Sequence, residues 1–466
     1  MLRLHPLCTL MPIMPTHTHY ICNICGAETT KWSGQCPDCN AWNSLVEYQS
    51  SSAPHRKNKS KGYAGTTQTD IQTLSAVECT HIQRLSTSMP EFDRVLGGGI
   101  VPGSVVLIGG DPGVGKSSLL LQVLAQMSQQ QAVLYVSGEE SANQVALRAQ
   151  RMGVTNDQLK LLTETQVESI IAGAQKCQPK VMVIDSIQTM YVADITSAPG
   201  GVAQVRESAA ALTQFAKQHH IAVLLVGHVT KTGEVAGPRV LEHIVDAVLY
   251  LEGQNDGRFR ILRGIKNRFG AVNELGVFAM TDKGMREVSN PSAIFLSSEV
   301  PDAAGSTVMI AWEGTRPLLV ELQALVDQSY LPNPRRVTVG IEQNRLVMLL
   351  AVLHRHASIS TYDQDVFVNA VGGIRISETA SDLAILTAIV SSLKNAIVPR
   401  DTAIFGEVGL SGEVRPVPNG TERVSEAIKH GFKRIIAPSK NLPGQRQQGI
   451  EYIGVKTLSA ALTALF

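Results

Sequence analysis

The feature that most constrains this chain is a glycine-rich loop placed between an apolar run and a helical run. The segment GDPGVGKS at residues 110–117 matches the pattern GxxxxGK[ST], follows VVLIGG and opens SSLLLQVLAQM. In this context the backbone NH groups of the loop and the N-terminus of the helix hold phosphate oxygens. A chance glycine-rich turn is the alternative, but it would not require the strand, the lysine, the hydroxyl and the helix in this order. The loop therefore predicts a parallel α/β core with a nucleotide phosphate site.

Each residue type in this loop has an expected role. The glycines let the backbone wrap around the phosphates of ATP, and the lysine is expected to contact the β- and γ-phosphates as a catalytic cation. The hydroxyl that follows the lysine is expected to ligate Mg²⁺. The predicted nucleotide-binding residues of the loop are Gly110, Asp111, Pro112, Gly113, Val114, Gly115, Lys116, Ser117 and Ser118.

Two later apolar runs are predicted to bring carboxylates to the same edge of the sheet. The run VMVID ends in Asp185, which is expected to hold the metal through water; a helix cap is the alternative role. The run AVLYVSG leads to Glu139, the candidate base for the attacking water, and to Glu140, which suits the first turn of a helix. His228 ends the run AVLLVGH and is either a γ-phosphate sensor or an ordinary hydrogen-bonding histidine.

Short apolar runs alternate with helical stretches from about residue 80 to residue 290. The runs VVLIGG, AVLYVSG, VMVIDSI and AVLLVGH predict buried parallel strands with right-handed crossovers. A second α/β region follows, with a helix predicted in ETASDLAILTAIVSSLK and strands in DTAIFGE and RIIAP. The predicted divisions are an N-terminal extension at 1–19, a cysteine-rich unit at 20–48, a linker at 49–79, an ATPase domain at 80–290 and a C-terminal domain at 291–466.

The spacing of four cysteines predicts a structural metal site. Cys22 and Cys25, and then Cys36 and Cys39, form two C-x2-C pairs separated by ten residues, which is typical of a tetrahedral zinc site. Four thiolates leave no open coordination position, so a zinc ion held by them would stabilise the fold. A redox pair is the alternative, but it would normally be a single pair at the start of a helix in a thioredoxin-like unit.

Composition constrains the remaining function classes only weakly. The formal net charge is +1, so any DNA contact must come from a local surface rather than from a global positive field. The spacing of the seven cysteines is unlike that of a disulfide framework. No apolar run approaches the roughly 20 residues that a membrane span needs. The sequence therefore predicts a cytoplasmic protein without a membrane partner.

Several motifs together resemble those of the bacterial RadA/Sms DNA-repair proteins, from Tyr20 almost to the end of the chain. YICNICGAETTKWSGQCPDCNAWNSL resembles the zinc finger of that family, GGDPGVGKSSLLLQ its Walker A motif, and KNRFG at residues 266–270 its signature of that name. WEGTRPLLVELQALV resembles the passage into a Lon-protease-like domain. The resemblance implies a RecA-like P-loop ATPase core with a small N-terminal four-cysteine zinc module and a C-terminal Lon-protease-like α/β domain.

The resemblance also implies a hexameric ring that binds single-stranded and branched DNA, drives branch migration and works with a RecA-type recombinase. Lys266 and Arg268, in the strand and turn RFRILRGIKNRFG, would be catalytic cations that contact a neighbouring subunit's nucleotide; a solvated basic turn is the alternative. Two other hypotheses remain open, a RecA-like signalling module that does not act on DNA and an ATP-dependent peptidase.

Comparison with Lon-type motifs disfavours the peptidase. SETASDLAI places Ser381 at the nucleophile position, without the glycines that usually surround it. SGEVRPVPNGTERVSEA places Thr421 where the activating lysine would be, and a threonine cannot deprotonate the serine. The domain is therefore expected to be a scaffold for assembly or DNA contact, with Arg335 and Arg336 as candidate phosphate contacts.

Overall fold

The computed structural model divides into two compact units, Met1–Glu287 and Val288–Phe466. The predicted extension and linker fall almost entirely outside the residues it describes. None of the helices in the described part of the chain combines the length and the apolar character needed to cross a bilayer. The described residues are 18–22, 27–49, 83–154, 158–227, 241–253, 258–293, 295–296, 303–330 and 332–466.

The cysteine-rich unit is a small antiparallel sheet with strand order β2-β1-β3. The strands are β1 (Thr18–Cys22), β2 (Glu28–Thr29) and β3 (Leu45–Gln49), and Cys22 pairs with Leu45 across the sheet. Its buried cluster consists of Cys22, Cys36 and Leu45. A core this small cannot offset the conformational entropy of folding, so the unit requires a cross-link such as a metal ion.

The sheet of the predicted ATPase domain has nine strands in the order β12-β11-β10-β9-β4-β8-β7-β5-β6. The strands from β9 to β6 are parallel, whereas β10, β11 and β12 extend the sheet with antiparallel pairs. The four strands predicted from apolar runs are confirmed as β4, β5, β7 and β8. The bounds are β4 Val105–Gly109, β5 Val133–Ser137, β6 Leu159–Thr163, β7 Val181–Asp185, β8 Ala222–Val226, β9 Ala247–Glu252, β10 Phe259–Asn267, β11 Leu275–Thr281 and β12 Gly284–Glu287.

Helices cover both faces of this sheet, which is why its central strands are buried at every position. Ile108 of β4 belongs to one apolar cluster with Leu120, and the adjacent Leu107 belongs to a second cluster with Leu212 on the opposite face. Alternation of successive side chains between two covered faces requires a continuous apolar run. The helices are α1 Pro90–Val95, α2 Lys116–Met127, α3 Ala142–Arg151, α4 Val167–Cys177 and α5 Val202–His219.

The C-terminal unit contains a mixed sheet of seven strands in the order β15-β16-β14-β13-β17-β20-β21, and a separate β18-β19 pair. Both strands predicted in this region are confirmed, as β17 and β20. The bounds are β13 Ser306–Glu313, β14 Arg316–Gln328, β15 Arg336–Val339, β16 Gln364–Ala370, β17 Thr402–Ile404, β18 Glu407–Val408, β19 Val414–Arg415, β20 Arg434–Pro438 and β21 Glu451–Val455.

The central helix of this unit was also predicted. It is buried from Asp382 to Ser391 without interruption, and it contacts β13 and β14. A helix that is apolar around its whole circumference has to lie inside the fold. The helices are α6 Gln343–Ala357, α7 Asp382–Lys394, α8 Gly420–Lys429 and α9 Leu458–Leu465.

Candidate active site

The phosphate loop connects β4 to α2 at the carboxyl edge of the parallel strands. Gly110 has a φ of 146°, and a Cβ atom there would collide with the carbonyl oxygen of Leu251. Gly115 has a φ of 109° and forms the N-cap of α2. The glycines are therefore required by the shape of the loop, which leads directly into the helix N-terminus that can receive negative charge.

Lys116 is the first residue of α2, and its side chain is held against the loop. Its Nζ donates to the carbonyl oxygens of Gly110 at 2.7 Å and Asp111 at 3.0 Å. Burial lowers the pKa of Lys116, while the charges of Asp185, Glu139 and Asp111 oppose that shift. The structure therefore places the predicted lysine, the loop and both predicted carboxylates in one electrostatic environment.

The other predicted loop residues differ in their accessibility. Pro112 and Gly113 are exposed, Val114 is buried, and Ser117 and Ser118 are half-buried in the first turn of α2. The hydroxyl of Ser117 and the carboxylate of Asp185 both follow the carboxyl ends of strands in the same sheet. Oxygen ligands of these types suit Mg²⁺.

Asp185 is buried at the end of β7, where it pairs with Ser137 of β5. The hydroxyl of Tyr135 donates to Asp185 Oδ2, and Arg148 Nη2 lies 3.9 Å from the same oxygen. Burial, followed by the charge of Asp185, raises the pKa of Tyr135, so its hydroxyl remains a donor. No hydrogen bond from the described residues reaches Asp185 Oδ1. This second oxygen is therefore available to a ligand.

Glu139 and Glu140 occupy the loop after β5 but have different environments. Glu139 is exposed and accepts a hydrogen bond from Ser186 Oγ, the hydroxyl next to Asp185. Glu140 instead forms an ion pair with Arg148, 2.8 Å between Oε2 and Nη1. The structure therefore links Glu139 to the end of β7. His228 lies outside the described residues.

Lys266 and Arg268 lie at the opposite edge of the sheet. Lys266 pairs with Val248 of β9, which pairs with Leu107 of β4. Asn267 pairs with Ala247 of β9, which pairs with Val106 of β4. Leu107 is the middle residue of β4, but Lys266 Nζ bonds to carbonyl oxygens that precede β9, and the NH of Arg268 donates to the carbonyl of Asp246, which also precedes β9. Both cationic residues are therefore held toward the amino ends of β4 and β9, whereas the phosphate loop follows the carboxyl end of β4. The structure does not bring Lys266 or Arg268 to the phosphate loop of the same chain.

Both of these cations are held by the chain itself. Lys266 Nζ donates to the carbonyl oxygens of Glu242 and, at 2.7 Å, Val245. Burial, followed by the charge of Arg268, lowers the pKa of Lys266. Arg268 is half-exposed, and its Nη1 lies 3.1 Å from Asp246 Oδ1.

Asp246 bonds to groups from three separate segments of the chain, a role that no sequence motif indicated. Its buried carboxylate accepts from Arg268, from Lys217 Nζ at 3.3 Å and from the backbone NH of Val105 at 3.1 Å. The last contact joins residues 141 positions apart in the sequence. No local motif could signal it, because the contact exists only once β4 and β9 are paired.

Three of the four predicted zinc ligands converge. The Sγ atoms of Cys22, Cys36 and Cys39 lie within 4.8 Å of one another, and those of Cys22 and Cys39 are 3.6 Å apart. Cys25 lies outside the described residues. The NH of Asn40 donates to the carbonyl of Cys36 at 2.9 Å, which forms the tight turn that lets both sulfurs of that pair face one point. Convergent thiols in such turns suit zinc.

The two Lon-like positions in the C-terminal unit differ, because internal contacts close off Ser381 whereas Thr421 is exposed. Ser381 is 4% exposed, and its Oγ donates to the carbonyl oxygen of Glu378 at 2.8 Å. Thr421 is exposed on the first turn of α8. Arg423 is 1% exposed, forms an ion pair with Glu378 at 2.6 Å and donates to the carbonyl of Ile310.

The fold and the site define a P-loop ATPase with an N-terminal zinc ribbon and a second α/β unit. Three family models agree with this description. The AAA domain matches residues 71–234, the rubredoxin metal binding domain matches residues 20–47, and subunit ChlI of Mg-chelatase matches residues 343–441. The AAA match supports ATP and Mg²⁺ as ligands, and the cysteine cluster with its metal-binding match supports zinc.

Relatives cover nearly the whole chain. DNA repair protein RadA of Pseudomonas aeruginosa is 60% identical over 447 residues, which are 96% of this chain and 98% of that protein. The protein of the same name from Escherichia coli is 58% identical, with coverage of 95% and 97%. That from Bacillus subtilis is 48% identical, with coverage of 96% and 98%. The chain belongs to the RadA family of DNA repair proteins, which confirms the family and the fold class predicted from the sequence.

Proposed function

We propose that this protein is a DNA-dependent ATPase that processes recombination intermediates. In this proposal it forms a ring, with six subunits as the expected number, binds single-stranded and branched DNA, and drives branch migration beside a RecA-type recombinase in the cytoplasm. The names of its relatives, DNA repair proteins, support DNA as the substrate. One observation gives the main support for a motor: the candidate catalytic groups lie at two opposite edges of one sheet.

At the first edge, the chain's own residues bind and orient the triphosphate. Backbone NH groups of the loop and the N-terminus of α2 bind phosphate oxygens, and Lys116 leaves the loop carbonyls to contact the β- and γ-phosphates. Glu139 accepts a proton from the attacking water. Ser117 and, through water, Asp185 would hold Mg²⁺, which would supply positive charge next to the transferred phosphoryl group.

The second edge supports a ring rather than a monomer. The backbone of Lys266 is level with Leu107 and two strands away from β4. At roughly 3.3 Å per residue and about 4.8 Å per strand, Gly110 is about 14 Å from it, so Lys266 does not reach the phosphate loop of its own chain. If Lys266 and Arg268 stabilise the transferred phosphoryl group, they must do so on a neighbouring subunit. Arg268, which is half-exposed, has the accessibility that such a contact requires.

The C-terminal unit is proposed to be a scaffold rather than a peptidase. A nucleophile needs a nearby base and access to substrate. Ser381 is buried and donates to a backbone carbonyl, and Thr421 provides no base. Arg335 and Arg336 remain candidate phosphate contacts on this scaffold.

ATP turnover with and without single-stranded DNA tests the DNA-dependent motor. We expect stimulation that decreases as salt increases, because phosphate contacts release counterions. Lys176→Ala, which removes an exposed lysine of α4, controls for nonspecific loss of charge, and DNA should stimulate its turnover as it does that of the unaltered protein. Turnover that DNA leaves unchanged at every salt concentration would favour a signalling module.

Mixing two inactive variants tests the contact between subunits. Lys266→Ala and Lys116→Ala proteins should regain partial turnover together, because some interfaces then pair an intact phosphate loop with an intact basic turn. Lys283→Ala, which changes an exposed lysine of the same unit, should stay active alone. Mixed rings are first demonstrated by co-purification of differently tagged chains. If mixed rings form and remain as inactive as the separate variants, Lys266 does not act on a neighbour's nucleotide.

A further inference from the structure

A tyrosine hydroxyl separates an arginine from the carboxylate at the end of β7. Tyr135 has no exposed surface, and its hydroxyl accepts a hydrogen bond from Arg148 Nη2 at 3.0 Å while donating to Asp185 Oδ2. Arg148 Nη2 itself lies 3.9 Å from that oxygen, beyond hydrogen-bond distance. The guanidinium and the carboxylate are therefore close enough to attract each other, but they are connected only through the hydroxyl.

Arg148 has the capacity to bond the carboxylate directly. Its Nη1 is engaged by Glu140, but its Nε is buried and has no hydrogen-bond partner among the described residues. A shift of about 1 Å would bring Nη2 within hydrogen-bond distance of Asp185. A hydrogen bond between two charged groups is stronger than one that involves a neutral hydroxyl. Without the tyrosine hydroxyl, the direct ion pair is the favoured arrangement.

Arg148 also forms an ion pair with Glu140, which follows Glu139 in the loop after β5. The end of β7 therefore has to accommodate a cation that would compete with a metal ion for the same carboxylate. A carboxylate that is bonded directly to a guanidinium attracts a second cation less strongly, and the effect is large where the groups are buried.

We propose that Tyr135 is a positioning residue that insulates Asp185 from Arg148 and so keeps the charge of Asp185 available to Mg²⁺. The inference rests on the proposed role of Asp185 in holding Mg²⁺. It assigns Tyr135 no contact with the nucleotide. Its effect on metal affinity depends entirely on the presence of Arg148, and this dependence distinguishes it from a purely structural tyrosine.

The test measures binding of a fluorescent ATP analogue to the full-length protein while MgCl₂ is titrated, so the readout does not depend on turnover. For Tyr135→Phe we expect the Mg²⁺ concentration at half-maximal binding to rise about tenfold, because Arg148 then pairs with Asp185. Arg148→Met alone should need no more Mg²⁺ than the unaltered protein. The double variant should return to within about twofold of the unaltered protein, since the competing cation is gone.

Two matched controls and one spare variant complete the design. Tyr330→Phe changes a tyrosine that is 91% exposed, and Arg151→Met changes an exposed arginine of the same helix as Arg148; neither should move the Mg²⁺ midpoint. Arg148→Gln, which keeps polar donors for Glu140, replaces Arg148→Met if the latter lowers the thermal unfolding temperature. Analogue binding in EDTA should be the same for Tyr135→Phe and the unaltered protein.

The outcomes separate the inference from the proposed function. An unchanged Mg²⁺ midpoint in Tyr135→Phe overturns the inference. The inference is also overturned if Tyr135→Phe raises the Mg²⁺ midpoint and neither Arg148→Met nor Arg148→Gln, added to Tyr135→Phe, restores it. The hydroxyl would then act on Asp185 independently of Arg148. If the unaltered protein binds the analogue equally well with and without Mg²⁺, the proposed role of Asp185 fails, and the inference fails with it.

Discussion

Charged side chains lie at the starts of both helix α2 and helix α7, but their hydrogen-bond partners differ. At α2, within the part of the chain that the structure describes, Lys116 bonds only to loop carbonyls and Asp185 keeps one oxygen free of hydrogen bonds. At α7, Asp382 is fully buried and is bonded by Arg345 and by the NH of Val408. Polar groups that bond to one another stabilise the fold, and polar groups left facing a loop can bind a ligand.

Removal of Lys116 should break the first half of this comparison with the largest effect. Lys116→Ala should lower ATP turnover by about 100-fold or more, because a cation on the transferred phosphoryl group is lost while little packing changes. Circular dichroism and thermal unfolding should match those of the unaltered protein. Turnover close to normal would show that the loop is not the hydrolytic site. Lys176→Ala serves again as the control.

Removal of Arg423, whose ion-pair partner Glu378 lies four residues before the start of α7, should break the second half. Arg423→Met leaves Glu378 without its charge partner, and we expect the C-terminal unit to lose about 2 kcal/mol of unfolding free energy. This is less than the roughly 3–5 kcal/mol of a fully buried pair, because Glu378 is partly exposed. Trp312, whose ring centre is 5.8 Å from the Arg423 guanidinium, reports the urea transition by fluorescence once Trp32 and Trp42 are replaced by phenylalanine.

The matched control for this variant is Arg415→Met, which removes a half-exposed arginine paired with Glu413. It should change the same transition by less than about 0.5 kcal/mol, because exposed ion pairs contribute little. Equal losses for the two variants would show that the buried ion pair is not what closes this site.

The hydroxyl of Ser381 gives the smallest expected effect and sharpens the comparison. Ser381→Ala should leave ATP turnover unchanged and cost at most about 1 kcal/mol, the usual contribution of one hydrogen bond. Thr421→Lys, which restores the residue type of a Lon-type base, should still cleave no casein, because Ser381 remains buried. ATP-driven cleavage that appears in Thr421→Lys and disappears with Ser381→Ala would contradict the scaffold interpretation.

The parts of the molecule predicted from sequence are those encoded over short distances. The phosphate loop is a contiguous motif, and the run ending in Asp185 is a fully buried strand that needs no distant partner to be recognised. Tyr135 and Arg148 gave no such signal, because a tyrosine in an apolar strand and an arginine in an amphipathic helix are both ordinary. Their importance depends on the pairing of β5 with β7, which only the folded sheet establishes.

The antiparallel extension shows the same limit at a larger scale. The strand and turn of RFRILRGIKNRFG were predicted and are present as β10 and the bend after it. Their position at the amino edge of β4 could not be predicted, because it depends on β9 pairing with both β4 and β10. The sequence therefore indicated that Lys266 and Arg268 form a basic turn but not which edge of the sheet they occupy.

Asp246 connects that edge to the nucleotide site, because its carboxylate holds both Arg268 and the first residue of the strand that ends in the phosphate loop. In the proposed ring, a turn pulled toward a neighbour's triphosphate would therefore act on the strand that carries its own. Thermodynamic linkage makes such an effect reciprocal. If the contact between the turn and the neighbour's triphosphate strengthens ATP binding at the loop, then ATP binding at the loop strengthens that contact by the same free energy. The affinity for ATP would then be a property of the whole ring, because ATP bound to one subunit would change the affinity of its neighbour for ATP.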